Sequence, residues 1–78
     1  MILEIVTPEK KLFDGDIKLV KLPGTNGSFE ILKNHAPIIS ILDAGEIKVI
    51  GSAGEVSRFN IKSGVVECNK NHIIVLVD

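Results

Sequence analysis

Two histidines, one cysteine and ten carboxylates are the residues of this chain best suited to chemistry. A metal centre needs several ligands brought together by paired spacing, and His35, His72 and Cys68 lie apart with no such pairing. Nucleophilic catalysis needs Ser or Cys beside His and a carboxylate, and no nucleophile-elbow pattern is present. Gly24-Thr25-Asn26-Gly27 has the glycines of a phosphate-cradling loop. It lacks the Gly-Lys-Ser/Thr ending and a following helix, so it reads as a turn. The pairs Asp14/Asp16 and Glu46/Glu55 read as solvated charges at turns and strand ends. Cys68 reads as a small core hydrophobe, and His72, at a strand start, as a solvated or turn-bonded residue. These positions give no catalytic constellation and imply no cofactor or metal.

The 78 residues are expected to form one domain, 1–78, too short for a catalytic core with a regulatory module. Nine basic against ten acidic residues, net charge −1 and pI about 6.1, supply no basic footprint for nucleic acid or an anionic membrane. The three Phe are too few for a base-stacking face, which disfavours a small oligonucleotide-binding barrel. The longest apolar run, Ile73 to Val77, is far below the roughly 20 residues of a spanning helix. No charged and apolar leader opens the chain, so a secretory signal is not expected. A single cysteine excludes an internal disulfide and fits a reducing compartment.

The elements that would position these residues are strands. Ile and Val supply 20 residues and Ala only three; β-branched side chains lose rotamer freedom in helices and pack well on a pleated surface. Ile2 to Val6 predicts a first strand. Asp14-Gly15-Asp16 predicts a turn into Ile17 to Leu22, whose alternation slips at Leu19-Val20 as at a bulge or in a strand covered on both faces. Asn26-Gly27 offers residues that accept positive φ. Strands follow at Ser28 to Leu32, Ile38 to Leu42, Glu46 to Ile50, Glu55 to Lys62, Val65 to Cys68 and His72 to Val77. No helical stripe is found. The expectation is an all-β, antiparallel sandwich or flattened barrel of about eight to ten short strands. Ile38, Ile39, Ile41 and Leu42 cannot all face one core, so the aliphatic surplus points to a partner.

The segment from Gly24 to Ile39 contains Gly-x-x-Gly, the apolar pair Phe29 and Ile31, and His35-Ala36-Pro37 followed by Ile38-Ile39. It resembles the signature of the ATP synthase epsilon subunit, called delta in mitochondria. Leu3 to Glu9, Leu12 to Gly15, Leu42, Gly45 with Ile47, Ser63-Gly64 with Val66-Glu67, and Asn71 to Asp78 match in order, so the resemblance spans the whole chain. Glu30 stands where that family commonly has Gly, and Lys33 where it commonly has Pro. Typical members continue beyond the position of Asp78 into a helical hairpin, which is expected to be absent here.

The resemblance implies a non-catalytic rotor subunit at the cytoplasmic face of the energy-transducing membrane. It would couple ion-driven turning of the c ring, through gamma, to ATP synthesis, with no membrane insertion. Without the hairpin, no inhibition of hydrolysis and no nucleotide binding are expected. Gly27, Ser28 and Glu30 would meet the c ring; His35, Ser40 and Glu46 would face gamma. Each also has a plainer reading: hairpin residues for the first three, a loop-capping hydrogen bond for His35, and exposed strand positions for Ser40 and Glu46. A different class, a small β carrier domain of the biotinyl or lipoyl type, has similar size and β content. It needs an exposed hairpin lysine with acidic and small or Met neighbours, and Lys33 and Lys70 lack those neighbours.

Overall fold

Aliphatic runs broken by turn residues become eight strands and no helix in the computed structural model, which describes every residue, Met1–Asp78. The strands are β1 (Ile2–Val6), β2 (Lys11–Gly24), β3 (Gly27–Leu32), β4 (Ile38–Leu42), β5 (Gly45–Gly51), β6 (Val56–Ile61), β7 (Gly64–Asn69) and β8 (His72–Val77). One sheet contains β1, β8, β7 and β4; the other contains β3, the second half of β2, β5 and β6. β2 belongs to both. Its first half pairs with β1, and its last residue, Gly24, meets Leu42 of β4. The first sheet is thereby closed on both sides by the same strand.

β2 departs from the expected Asp14-Gly15-Asp16 turn. Those residues are extended and sit opposite Glu4, Leu3 and Ile2 of β1. A complete ladder with β1 overrides local turn preference, because each paired residue satisfies its backbone groups. The reversal falls earlier, where Thr7 Oγ1 accepts hydrogen bonds from the amides of Glu9 and Lys10. Such a hydroxyl-to-backbone motif closes a tight turn.

The slip in the β2 alternation is a bulge. The β2–β5 register shifts between Ile17 and Leu19, and the extra residue, Lys18, is exposed. Ile17, Val20 and Leu22 all point inward as a result, at 3%, 0% and 0% exposure. One ladder is not antiparallel: β1 runs parallel to β8. The hairpin with β2 sets the direction of β1, and parallel neighbours need only a long connection, here nearly the whole chain.

The core is aliphatic, as the three Phe require. Fifteen apolar residues are buried, Cys68 among them at 2% exposure, and no polar or charged side chain is. Burial raises the Cys68 thiol above its ordinary pKa. Ile31 and Ile61 lie in this core, with Phe29 and Phe59 packed against it. Phe13 meets Phe59 edge to face, ring centres 6.1 Å apart.

Candidate functional site

The β2–β3 hairpin forms one end of the molecule. Gly24 pairs with Gly27 across the exposed residues Thr25 and Asn26. Gly27, at φ 115°, takes the positive φ, and Asn26 does not. Gly24 must lack a side chain: a Cβ there would lie 2.8 Å from both the Gly27 carbonyl oxygen and the Phe29 ring. Gly27, Ser28 and Glu30 are all exposed on this hairpin. Glu30 stands opposite Lys21 and Ser28 opposite Pro23.

The loop carrying His35 lies at the far end of β3, whose six residues span roughly 20 Å at about 3.3 Å each. Asn34, at φ 65°, receives a hydrogen bond on its side-chain oxygen from Asn71 Nδ2, 3.1 Å, and its amide donates to Asn71 Oδ1, 2.7 Å. Asn tolerates this left-handed conformation better than most residues. The reciprocal pair ties the loop to the β7–β8 turn. His35 Nδ1 donates to the Ala36 carbonyl at 2.7 Å, since that oxygen can only accept. The ring is half-buried and holds its own loop.

Ser40 and Glu46 do not share a surface. Ser40 is half-buried on the inward side of β4, opposite the fully buried Val66. Glu46 lies on the outer side of the other sheet, bound to Arg58 at 2.9 Å. Around it run charged side chains, with Glu30, Lys21, Lys48 and Arg58 side by side on β3, β2, β5 and β6.

The outer side of the β1–β8–β7–β4 sheet is different. Ile39 and Ile41 of β4 are 73% and 64% exposed, and Leu76 of β8 is 56% exposed. Register places Ile41, Val65 and Leu76 in one row, and Ile39, Glu67, Ile74 and Glu4 in the next. A shallow hollow is lined by Ile39, Val65, Glu67, Ile74 and Leu76. Strand alternation decides which aliphatic residues of β4 and β8 face out. The surplus on β4 was legible in the sequence; its continuation across Val65 and Leu76 depends on cross-strand register and was not.

At the β1 side of this face, Glu4 accepts from His72 Nε2 at 2.8 Å and pairs with Lys11 Nζ at 3.1 Å. Lys11 also reaches Asp14 at 3.2 Å. The His72 hydrogen bond, and then that of Lys11, hold the Glu4 carboxyl below its ordinary pKa. Glu4, followed by Asp14, holds the Lys11 ammonium above its own. His72 is thus hydrogen-bonded through its ring to Glu4. No group of three or more His, Cys, Asp or Glu is placed to hold a metal ion.

The architecture is that of an all-β sandwich domain with one aliphatic outer face. The family model described as the ATP synthase delta/epsilon chain β-sandwich domain matches residues 1–78, and the chain belongs to that family. It is 40% identical over 76 residues to the ATP synthase epsilon chain of Chlorobaculum tepidum, covering 97% of this chain and 86% of that one. It is 42% identical to the epsilon chain of Campylobacter fetus, covering 97% of this chain but 59% of that one. With the relative from Sulfurovum, covered to 61%, it thus spans about three fifths of the longer relatives.

Among solved structures, a chain in the Euglena gracilis mitochondrial ATP synthase, OSCP/F1/c-ring, superposes with TM-score 0.89 at 15% identity, covering 99% of this chain and 49% of that one. A chain of the Tetrahymena thermophila mitochondrial ATP synthase central stalk and c ring gives 0.81 at 22%, covering 99% and 62%. These two likenesses show the fold. The epsilon chain is an accessory stalk subunit rather than a catalytic one, which sets aside the carrier-domain alternative.

Proposed function

We propose that this chain is a non-catalytic rotor subunit of the rotary ATP synthase, coupling rotation of the c ring through gamma to ATP synthesis. Family membership supports the reading, and the observation that carries it is the aliphatic outer face of β4, β7 and β8. Exposed aliphatic side chains in contiguous rows mark a surface that a protein partner covers, and gamma is the partner proposed for it. His35 and Ser40 belong to β4 and the loop that leads into it, beside that face. Glu46, held by Arg58 on the other sheet, joins the contact only if gamma reaches around the sandwich. The β2–β3 hairpin, with Gly27, Ser28 and Glu30, meets the polar loops of the c ring. No helix is long and apolar enough to cross a membrane, and attachment at the cytoplasmic face comes through these contacts.

The test is reconstitution with the cognate gamma subunit. The purified chain is expected to co-elute with gamma in size-exclusion chromatography at moderate salt. Separate elution overturns the reading.

A further inference from the structure

Glu67 is the carboxylate that the aliphatic face leaves unmatched. It is exposed on β7, directly between Ile39 of β4 and Ile74 of β8. Two residues along its own strand lies Val65. The side chain borders two hollows at once, one shared with Ile39, Val65, Ile74 and Leu76, the other with Pro37, Ile38, Cys68 and Asn69. Its neighbours in charge are already committed elsewhere: Glu4 and Asp14 are held by Lys11, and His72 is bound to Glu4. Glu67 takes part in none of the ion pairs of the chain.

Position makes this consequential. A partner that covers Ile39, Val65 and Leu76 also covers Glu67, because the carboxylate stands among them. Taking a carboxylate out of water without a counter-charge costs far more than burying the surrounding aliphatic area returns. The face therefore fits a surface that is apolar and also carries a cation opposite Glu67.

We infer that Glu67 is the specificity-determining residue of this face, and that it pairs with an arginine or lysine presented among apolar side chains by the docking partner. The inference rests on the proposed docking of gamma and names its chemistry. An arginine suits the site best, since its planar guanidinium can take both carboxylate oxygens while packing on Ile39 and Ile74. The apolar rows supply affinity, and the carboxylate sets register and rejects surfaces that lack the cation.

The experiment measures binding of cognate gamma to the full chain and to Glu67→Gln, Glu67→Leu, Glu67→Lys and Ile39→Ser. Both positions changed, Glu67 and Ile39, are exposed, so melting temperatures of all four variants are expected to stay within a few degrees of the parent. Glu67→Gln is expected to weaken binding about tenfold or more, with Glu67→Lys weaker still and the salt dependence of binding reduced in Glu67→Gln. Unchanged or tighter binding by Glu67→Gln and Glu67→Leu overturns the inference, because a purely apolar partner surface welcomes removal of the charge. Ile39→Ser separates the two levels. If it weakens binding while the Glu67 variants do not, the docking face stands and the cation does not. If it binds as the parent does, the docking face itself is overturned.

Discussion

Glu4 shows how much a single side chain can hold together on a small sandwich. It stands on β1, between β2 and β8, and binds the Lys11 ammonium of the one and the His72 ring of the other. Its carboxyl is depressed mainly by the His72 hydrogen bond and next by Lys11. A depressed carboxylate contributes stability above its unfolded value of about 4.3 and loses it as pH falls through the lower folded value. Lys11 is raised, so its contribution is present below about 10.4 and is lost as pH rises through the higher folded value. Thermal melts across pH are therefore expected to show a plateau bounded by these limits. Glu4→Gln should make the acid limb below about pH 4.3 shallower, with Asp16 at the N-terminal ammonium supplying the remainder. It should also lessen the alkaline limb, where Asp14 still holds Lys11; an acid limb identical to the parent's in that variant contradicts the assignment. Gly24 makes a steric rather than electrostatic case. Gly24→Ala places a methyl 2.8 Å from the Gly27 carbonyl oxygen and the Phe29 ring. It is expected to cost about 1–3 kcal/mol in urea unfolding, the usual range for overpacking.

β4 separates core from surface within five residues. Leu42 is 1% exposed and Ile39 73%, although both are aliphatic and three positions apart. Leu42→Ala is expected to destabilise by about 2–5 kcal/mol, and Ile39→Ala by no more than about 0.5 kcal/mol, measured by denaturant titration. Equal losses would mean that the outward face is packed in the free chain. β2 carries the other element-scale lesson. Its Leu19-Val20 slip was readable as an irregularity, because period-2 alternation leaves no place for two adjoining core residues. The bulge that resolves it needs β5 as a partner, and the pairing with β5 is not written in β2 itself. Likewise Asp14-Gly15-Asp16 has strong turn character, yet β1 lies alongside and the ladder prevails. Local preference amounts to a few tenths of a kcal/mol to about 1 kcal/mol per residue, less than a set of buried, paired backbone groups and Leu3 and Ile5 packed beneath them.

At the scale of the molecule, 27 × 24 × 18 Å, two sheets with unlike outer faces share one thin aliphatic core. One outer face is charged and solvated, while the other is aliphatic with one unpaired carboxylate, Glu67, and the two faces are therefore unlike. No helix is present in these 78 residues, so none of their backbone forms a helix N-terminus of the kind that receives phosphate. ATP at millimolar concentration is therefore expected to leave the melting temperature of this chain unchanged; a reproducible upward shift refutes that. The sequence by itself determined the class and most of the strands, because β-branched composition, alternation and turn residues act over a few neighbours. It also determined the family, through the ordered block around His35-Ala36-Pro37. Only the tertiary structure decided that β2 is a single strand serving both sheets, that β1 runs parallel to β8, and that Ser40 and Glu46 lie on different surfaces. It alone assembled Ile39, Ile41, Val65, Glu67 and Leu76 into one face. Those outcomes turn on which strands become neighbours and in what register, and register is settled by the whole buried core at once rather than by any segment of the chain.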